Sequence, residues 1–412
     1  MSRWKNKYVI GLTGNIATGK SVVRKMLQHL GAYTIDADGL SHAAMQPGAP
    51  AYQPIVNLFG GFILNENQEI DRAKLGAIVF SNPQALRQLE AITHPVIRKA
   101  IHALVERAKQ RVIVIEAIKL IEGELANDVD AIWVVNATPE TQLVRLIKTR
   151  NMEEAAARQR IAAQNPQREK VARAQVVIQN DGNVDETWKQ VQQHWNGVKQ
   201  AVLGVGQAKA PDGSPSSQRA TSVGARMDET MTVDAYQDPD ATVPTNVQVR
   251  IKRGMPPNAE GIAKFISAQT KRTISRMDVM MSFGQRSYLI AENEKAEVIG
   301  VVGWQVENLI TRVEEIQIAP GYPTTLVMGQ LIQAMEKASE DLQSEVAFVF
   351  LNANDVALYA GHFARYGYET TTIKEIKIPA WREAVQETLN QHGGNLTILN
   401  KKLREDRILK PI

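Results

Sequence analysis

The chain has 412 residues, 44% of them hydrophobic, and no cysteine. That length leaves room for two domains with sizeable cores, and the missing thiols exclude disulfides, zinc thiolates and thiol nucleophiles. With 48 Lys and Arg against 44 Asp and Glu, the formal charge of +4 is small and spread out, which argues for a solvated surface and against nucleic acid as a partner. No apolar run approaches the roughly twenty residues that cross a bilayer. The basic start leads into a short strand rather than a signal-peptide core, so a cytoplasmic protein away from membranes is expected.

The first strand is expected at 8–12. It runs into Gly14-Asn15-Ile16-Ala17-Thr18-Gly19-Lys20-Ser21, the pattern Gly-x-x-x-x-Gly-Lys-Ser. An amphipathic helix follows at once, with Val22, Val23, Met26, Leu27 and Leu30 on one face. Strand, loop and helix in that order are the context a P-loop requires. Gly14 and Gly19 let the backbone turn its N–H groups inward toward phosphates. Lys20 brings a charge to the outer phosphates, and the Ser21 hydroxyl suits Mg²⁺.

Further apolar strands are expected at 33–35, 112–115, 131–135 and 176–178, separated by helical stretches. This argues for a parallel sheet covered on both faces. Residues 40–108 read as mostly helical, broken at Pro47-Gly48, and form an insertion beside the sheet. The second strand ends in Asp36-Ala37-Asp38, where ligands of such sheets sit. These carboxylates suit Mg²⁺ binding and proton removal from an acceptor hydroxyl. Capping of the next helix is the alternative, although alternate residues cannot both cap one helix start. Glu116 ends the third strand as a further Mg²⁺-shell candidate, while Glu122 has Lys119 as an alternative salt-bridge partner. His94-Pro95 reads as a turn or cap without metal-ligand spacing. Arginines 145, 150, 158, 160, 168 and 173 suit a lid over transferring phosphate. A solvated helix with a Glu154–Arg158 pair is preferred for Arg158, Arg168 and Arg173.

Residues 204–245 are rich in turn formers and poor in large apolar side chains, so they read as a linker. Beyond them an α+β domain is expected. It has a strand at 247–251, a helix at 258–269 and strands at 287–291, 298–305 and 310–318. A helix at 326–342, a strand at 346–351 and a helix at 356–366 follow. A helix at 380–389 and a basic tail close the chain.

The P-loop, Ile35-Asp36-Ala37-Asp38, Ile70-Asp71-Arg72, Ile92-Thr93-His94-Pro95, Arg160-Ile161-Ala162-Ala163-Gln164 and Val177-Ile178-Gln179-Asn180 follow one another in order. That series resembles dephospho-CoA kinase over residues 7–200. The resemblance implies a P-loop α/β kinase with a helical CoA-binding insertion and a lid. Its activity is ATP-dependent phosphorylation of the ribose 3′-hydroxyl of dephospho-CoA, with Mg²⁺. It implies ATP-binding residues Gly14, Asn15, Ile16, Ala17, Thr18, Gly19, Lys20, Ser21 and Asn180, the last near adenine. Asp38 is the expected base, assisted by Lys20, Arg150 and Arg160. Asp36 and Ser21 are placed at the metal, and Asp36, His94 and Glu122 at the substrate. Asn15, Ala17 and Thr18 stand where the family often has Gly, Gly and Ser, and Ile118-Lys119-Leu120-Ile121-Glu122 replaces its Pro-Leu-Leu-Phe-Glu segment.

Residues 246–376 resemble the GNAT acetyltransferase superfamily, chiefly through Phe363-Ala364-Arg365-Tyr366-Gly367-Tyr368-Glu369. The expected organisation is a kinase domain at 1–203, a linker at 204–245, a GNAT-like domain at 246–376 and a C-terminal helix and tail at 377–412. CoA or acetyl-CoA is the ligand implied for the second domain. Its loop 319–329 lacks the spaced glycines that hold a pyrophosphate, so acetyl transfer is expected to be poor or absent, with Thr324 or Thr325 capping the next helix.

Overall fold

The computed structural model describes residues 3–203, 248–270, 272–393 and 395–406. The expected linker lies outside the described residues. The first sheet has five parallel strands in the order β2-β3-β1-β4-β5. They are β1 (Tyr8–Thr13), β2 (Tyr33–Asp36), β3 (Val112–Glu116), β4 (Ala131–Asn136) and β5 (Val176–Gln179). In register, Leu12 lies opposite Glu116 and Asp36 opposite Glu116. The carboxyl ends of β1, β2 and β3 therefore meet at one rim, where the P-loop and both acids emerge.

Helices cover both faces of this sheet. They are α1 (Lys20–His29), α2 (Ala37–Ala44), α3 (Tyr52–Phe59), α4 (Arg72–Ser81), α5 (Pro83–Arg107), α6 (Pro139–Arg150), α7 (Glu154–Ala162), α8 (Gln167–Ala172) and α9 (Val184–Leu203). The expected turn at His94-Pro95 does not occur. Both residues lie inside α5, where the 25-residue helix is held by its buried stripe of Thr93, Ile97, Ile101 and Leu104 despite one lost N–H donor. On the opposite face α1 and α9 pack over β1 and β4 through Leu27, Trp133, Val191 and Trp195.

The second sheet has seven strands in the order β11-β12-β10-β9-β8-β7-β6. Its elements are β6 (Arg250–Gly254), α10 (Ala259–Thr270), α11 (Arg276–Ser282), β7 (Ser287–Glu292), β8 (Val298–Glu307), β9 (Ile310–Ile318), α12 (Thr324–Asp341), β10 (Val346–Leu351), α13 (Ala353–Arg365), β11 (Glu369–Thr371), α14 (Pro379–Gln391) and β12 (Thr397–Lys402). Only the β9–β10 pairing is parallel. Two expectations need correction here. The C-terminal stretch is not a tail after a helix, because Ile398 and Leu399 are buried in β12, paired with both β10 and β11. Neither threonine caps α12. Pro323 occupies the N-cap without a side-chain bond, since Pro fixes φ where the helix begins.

The two units share one apolar core, which the reading of residues 204–245 as a linker does not anticipate. Tyr33, Leu104 and Leu120 of the first unit belong to the same buried cluster as Leu309, Met335 and Leu342 of the second. The β8–β9 hairpin places Val306 and Leu309 in this cluster. It turns through Asn308 at φ 50 and Leu309 at φ 66, the left-handed pair that a two-residue hairpin needs. Leu309 adopts this disfavoured conformation while burying its side chain. Polar contacts frame the seam: His29 Nε2 donates to the Phe283 carbonyl at 3.1 Å, Gln343 Nε2 donates to the Leu104 carbonyl at 3.0 Å, and Arg276 pairs with Asp185 at 2.9 Å.

Candidate active site

The P-loop joins β1 to α1 as the sequence requires. Gly14 has φ 152 and Gly19 φ 95, so both use backbone space that suits glycine. Gly19 also has no room for a side chain, since a Cβ there would lie 2.0 Å from Asn180 Nδ2. Ala17 is at φ 57, a left-handed position where its methyl is strained by about 1 kcal/mol. It is one of the positions where the chain departs from the kinase pattern.

Asn180 acts on the loop from beneath. Its Nδ2 donates to the Thr18 carbonyl at 2.8 Å, and its Oδ1 accepts from Thr187 Oγ1 at 2.8 Å. Arg145 braces the same loop through the Ala17, Thr18 and Asn180 carbonyls at 3.2, 3.2 and 2.6 Å. Two glutamines occupy the loop from above. The Ile16 N–H donates to Gln164 Oε1 at 2.7 Å, and the Asn15 N–H donates to Gln167 Oε1 at 2.9 Å. Asn15 Nδ2 adds a bond to the Asn165 carbonyl at 2.9 Å. The lid segment 164–167 therefore holds N–H groups that a phosphate would seek.

Lys20 is buried, with its Nζ on the Asn15 carbonyl at 3.1 Å. Burial lowers its pKa, while Glu116 and Asp38 work the other way. The two aspartates divide their work. Asp36 caps α2, accepting the Gly39 N–H at 2.9 Å through Oδ1. Asp38, two residues along, lines the adjacent cleft, and its Oδ2 accepts the Ile118 N–H at 3.2 Å. Burial and the neighbouring Asp36 raise the Asp38 pKa. Glu116 is buried and bound to Arg24 Nε at 2.5 Å. Burial raises its pKa, and Arg24 opposes the shift.

The cleft beyond Asp38 has a volume of about 640 Å³, within the usual range for a small-molecule site. Asn15, Glu90, His94, Glu122 and Lys170 share its wall with Asp38. Of the three residues expected at the substrate, His94 and Glu122 line this cleft and Asp36 does not. Lys119 pairs with Glu90 at 2.9 Å, not with Glu122. Glu122 is bonded at 2.8 Å to Lys170, which also donates to the Ile118 carbonyl at 2.7 Å. Burial opposes the Glu122 charge, but Lys170, a backbone hydrogen bond and Asn165 together outweigh it and its pKa falls.

Lys170 is a residue that sequence reasoning missed. Only its place four residues after Pro166, on a short helix among arginines, hinted at it. Arg150 and Arg160 are exposed; Arg150 lies near enough to Lys20 to disfavour its charge. Arg158 makes the surface pair with Glu154 at 2.7 Å, and Arg173 holds the Ile121 carbonyl at 3.2 Å. Among the described residues no three His, Asp or Glu side chains gather as a metal cage, and no helix is long and apolar enough to cross a membrane.

The family profile for dephospho-CoA kinase matches residues 8–186. The dephospho-CoA kinase of Geobacter metallireducens is 47% identical over 190 residues, which cover 45% of this chain and 94% of that one. That of Geobacter sulfurreducens is 44% identical over 190 residues, covering 45% and 96%. Among solved structures, a GNAT-family acetyltransferase of Staphylococcus aureus Mu50 aligns with a TM-score of 0.30 at 11% identity, covering 38% of this chain and 100% of that one.

Proposed function

The chain belongs to the dephospho-CoA kinase family, and from that membership we propose how its own residues carry the reaction. The γ-phosphoryl group of ATP passes to the ribose 3′-hydroxyl of dephospho-CoA, giving CoA in the last step of its biosynthesis. We place the acceptor in the cleft beside the P-loop and assign Asp38 as the base. The single observation that carries this assignment is the division between the aspartates: Asp36 is committed to the helix cap, whereas Asp38 lines the cleft. Its raised pKa favours taking up the hydroxyl proton as the oxygen bonds to phosphorus and ADP leaves. Lys20 stands at the loop to meet charge developing on the phosphate oxygens, and Arg150 and Arg160 are assigned to close over it.

We assign Mg²⁺ to the Ser21 hydroxyl and Asp36. Asp36 Oδ1 serves the cap, which leaves Oδ2 as a hard oxygen donor. One or two carboxylates beside substrate phosphates are what this ion commonly uses. When bound it supplies positive charge to the phosphate oxygens. Lys170 fixes the Glu122 carboxylate and the Ile118 carbonyl at the floor of the cleft, and with His94 these residues are assigned to orient dephospho-CoA. Asn180 serves ATP by shaping the loop. The test is ADP release by the full chain across a panel of hydroxyl acceptors. Turnover with dephospho-CoA far above all others is expected, and equal use of an unrelated acceptor refutes the reading.

We read the second unit as GNAT-like, running from 248 to β12, with CoA or acetyl-CoA as its ligand and little transfer activity. Support comes from the turn Tyr366-Gly367-Tyr368 after α13 and from the loop before α12. There Pro323 supplies no N–H, and glycine stands only at Gly321, φ 86. Acetyl transfer to amines by the full chain is expected at background level, and robust multiple turnover refutes this.

A further inference from the structure

A second cavity, of about 440 Å³, lies between α1 of the first unit and the β8–β9 sheet region and α14 of the second. Its wall is almost wholly polar, with Val306 as the one large aliphatic residue. Ser21, Arg24 and Lys25 face it from α1, and Arg286, Arg312, Glu307, Glu314 and Glu387 from the second unit.

The ionic groups of this wall can be counted out. Glu307 gives one oxygen to Arg24 at 3.4 Å and the other to Arg312 at 2.8 Å. Glu314 accepts from Arg286 at 3.1 Å and from Gln305 at 3.2 Å. Glu387 takes the other arm of Arg312 at 3.1 Å, and Arg24 is anchored to Glu116. Each carboxylate is therefore engaged by an arginine. Lys25 is left. It is 5% exposed, and no described residue gives it a hydrogen bond or ion pair. Burial, with Arg24 and Arg312 close by, outweighs the nearby Glu307 and pushes its pKa down to about 7. Arg312 Nε is also buried without an acceptor. Two donors thus share a wall whose three carboxylates are each engaged by an arginine, and a buried unpaired charge is costly.

We propose that this cavity binds a small organic monoanion, a carboxylate held by the Lys25 ammonium and the Arg312 Nε–H, and that its occupancy is felt in phosphoryl transfer. One charge matches the single unpaired cation. A dianionic phosphate brought among three glutamates meets more repulsion than one ammonium offsets. The volume and polar wall suit a compact ligand with further hydrogen-bonding groups. Coupling to the reaction follows from the lining: Ser21 belongs to the P-loop, and Arg24 joins Glu307 to Glu116. Binding does not depend on the kinase reading; only the effect on turnover does.

The test is calorimetry on the full chain with saturating ADP, so that the P-loop is filled. N-acetylglycine is the carboxylate probe, N-acetylglycinamide its neutral counterpart and inorganic phosphate the dianion. Lys25→Met keeps the bulk and removes the charge. N-acetylglycine is expected to bind with a Kd of about 1 mM or tighter, at least tenfold more weakly to Lys25→Met, and in preference to both other probes. No carboxylate binding at about ten times that concentration, equal binding by Lys25→Met, or preference for phosphate each overturns the proposal. A saturating probe that leaves kcat and KM unchanged overturns the coupling alone.

Discussion

The contact between the β8–β9 hairpin and α2 makes a quantitative prediction. Gly39 lies in the first turn of α2, between Asp38 and Leu40, and its N–H is held by Asp36. A Cβ placed on it would lie 2.1 Å from Asn308 Oδ1 and 2.8 Å from Asn308 Cγ and Nδ2. Gly39→Ala therefore has two opposing effects. The helix gains about 1 kcal/mol from the better residue, and the overlap costs about 1–3 kcal/mol. Asn308 is exposed, so its side chain can swing away, which places the net near 1 kcal/mol destabilising. Asn308→Gly removes the obstacle and suits φ 50, so alone it is expected within about 0.5 kcal/mol of the parent. The double variant then shows the helix gain unopposed and is more stable than Asn308→Gly by about 0.5–1 kcal/mol. The sign of the Gly39→Ala effect thus reverses with residue 308. Urea unfolding of all four full-length chains measures the cycle, with kcat as a second readout that falls most in Gly39→Ala. A coupling energy below about 0.5 kcal/mol refutes the docking of this hairpin on α2.

Other substitutions address the remaining claims. Lys20→Ala should retain the fold by circular dichroism and lose nearly all ADP release; near-parent turnover rejects the P-loop assignment. Asp38→Asn should lower kcat by about 10²–10⁴ with little change in ATP affinity. In the parent, the acid limb of kcat/KM should lie above 3.8, since burial and Asp36 raise this carboxyl. A limb below that value removes Asp38 as the base. For Lys25, the folded pKa of about 7 lies below the ordinary lysine value of 10.5. Between those values the unfolded chain holds more protons, so stability rises with pH across this window. Lys25→Met should flatten that slope and be more stable near pH 7 by on the order of a few kcal/mol. Parallel unfolding curves for the two chains from pH 7 to 10 contradict this. A chain ended after residue 203 should unfold at lower urea than the first unit does in the full chain, because Tyr33 and Leu104 lose their partners; an unchanged midpoint shows that the shared core contributes nothing.

Local signals in the sequence reach far in this molecule. The strand–glycine loop–helix order is physically forced, and both P-loop glycines take left-handed or extended conformations that the pattern alone implies. The five parallel strands were legible because buried strands read as continuous apolar runs. Strand β12 was not, since Thr397-Ile398-Leu399-Asn400-Lys401-Lys402 carries only two buried apolar residues and pairs far along the chain. Pro95 read as a break because local chemistry opposes helix there, yet the packing of α5 prevails. Asp36 and Asp38 were visible as a pair, but only geometry separates the cap from the cleft. Lys170, Gln164 and Gln167 escaped because their partners lie 48 to 152 residues away. The seam between the units escaped for the same reason: a linker's composition reports on itself, not on what the joined parts bury.

The glutamines above the P-loop make the nucleotide a rival of the protein's own side chains. The Ile16 N–H given to Gln164 and the Asn15 N–H given to Gln167 cannot serve a phosphate at the same time. Nucleotide arrival is then an exchange of acceptors, amide oxygen for phosphate oxygen, and departure is the reverse. The Asn15 and Ile16 N–H groups then have an acceptor in both conditions. Such an exchange ties the position of residues 164–167 to nucleotide affinity in one equilibrium. Weakening the amide side, as Gln164→Ala does, tightens the nucleotide and slows its escape; strengthening it does the opposite.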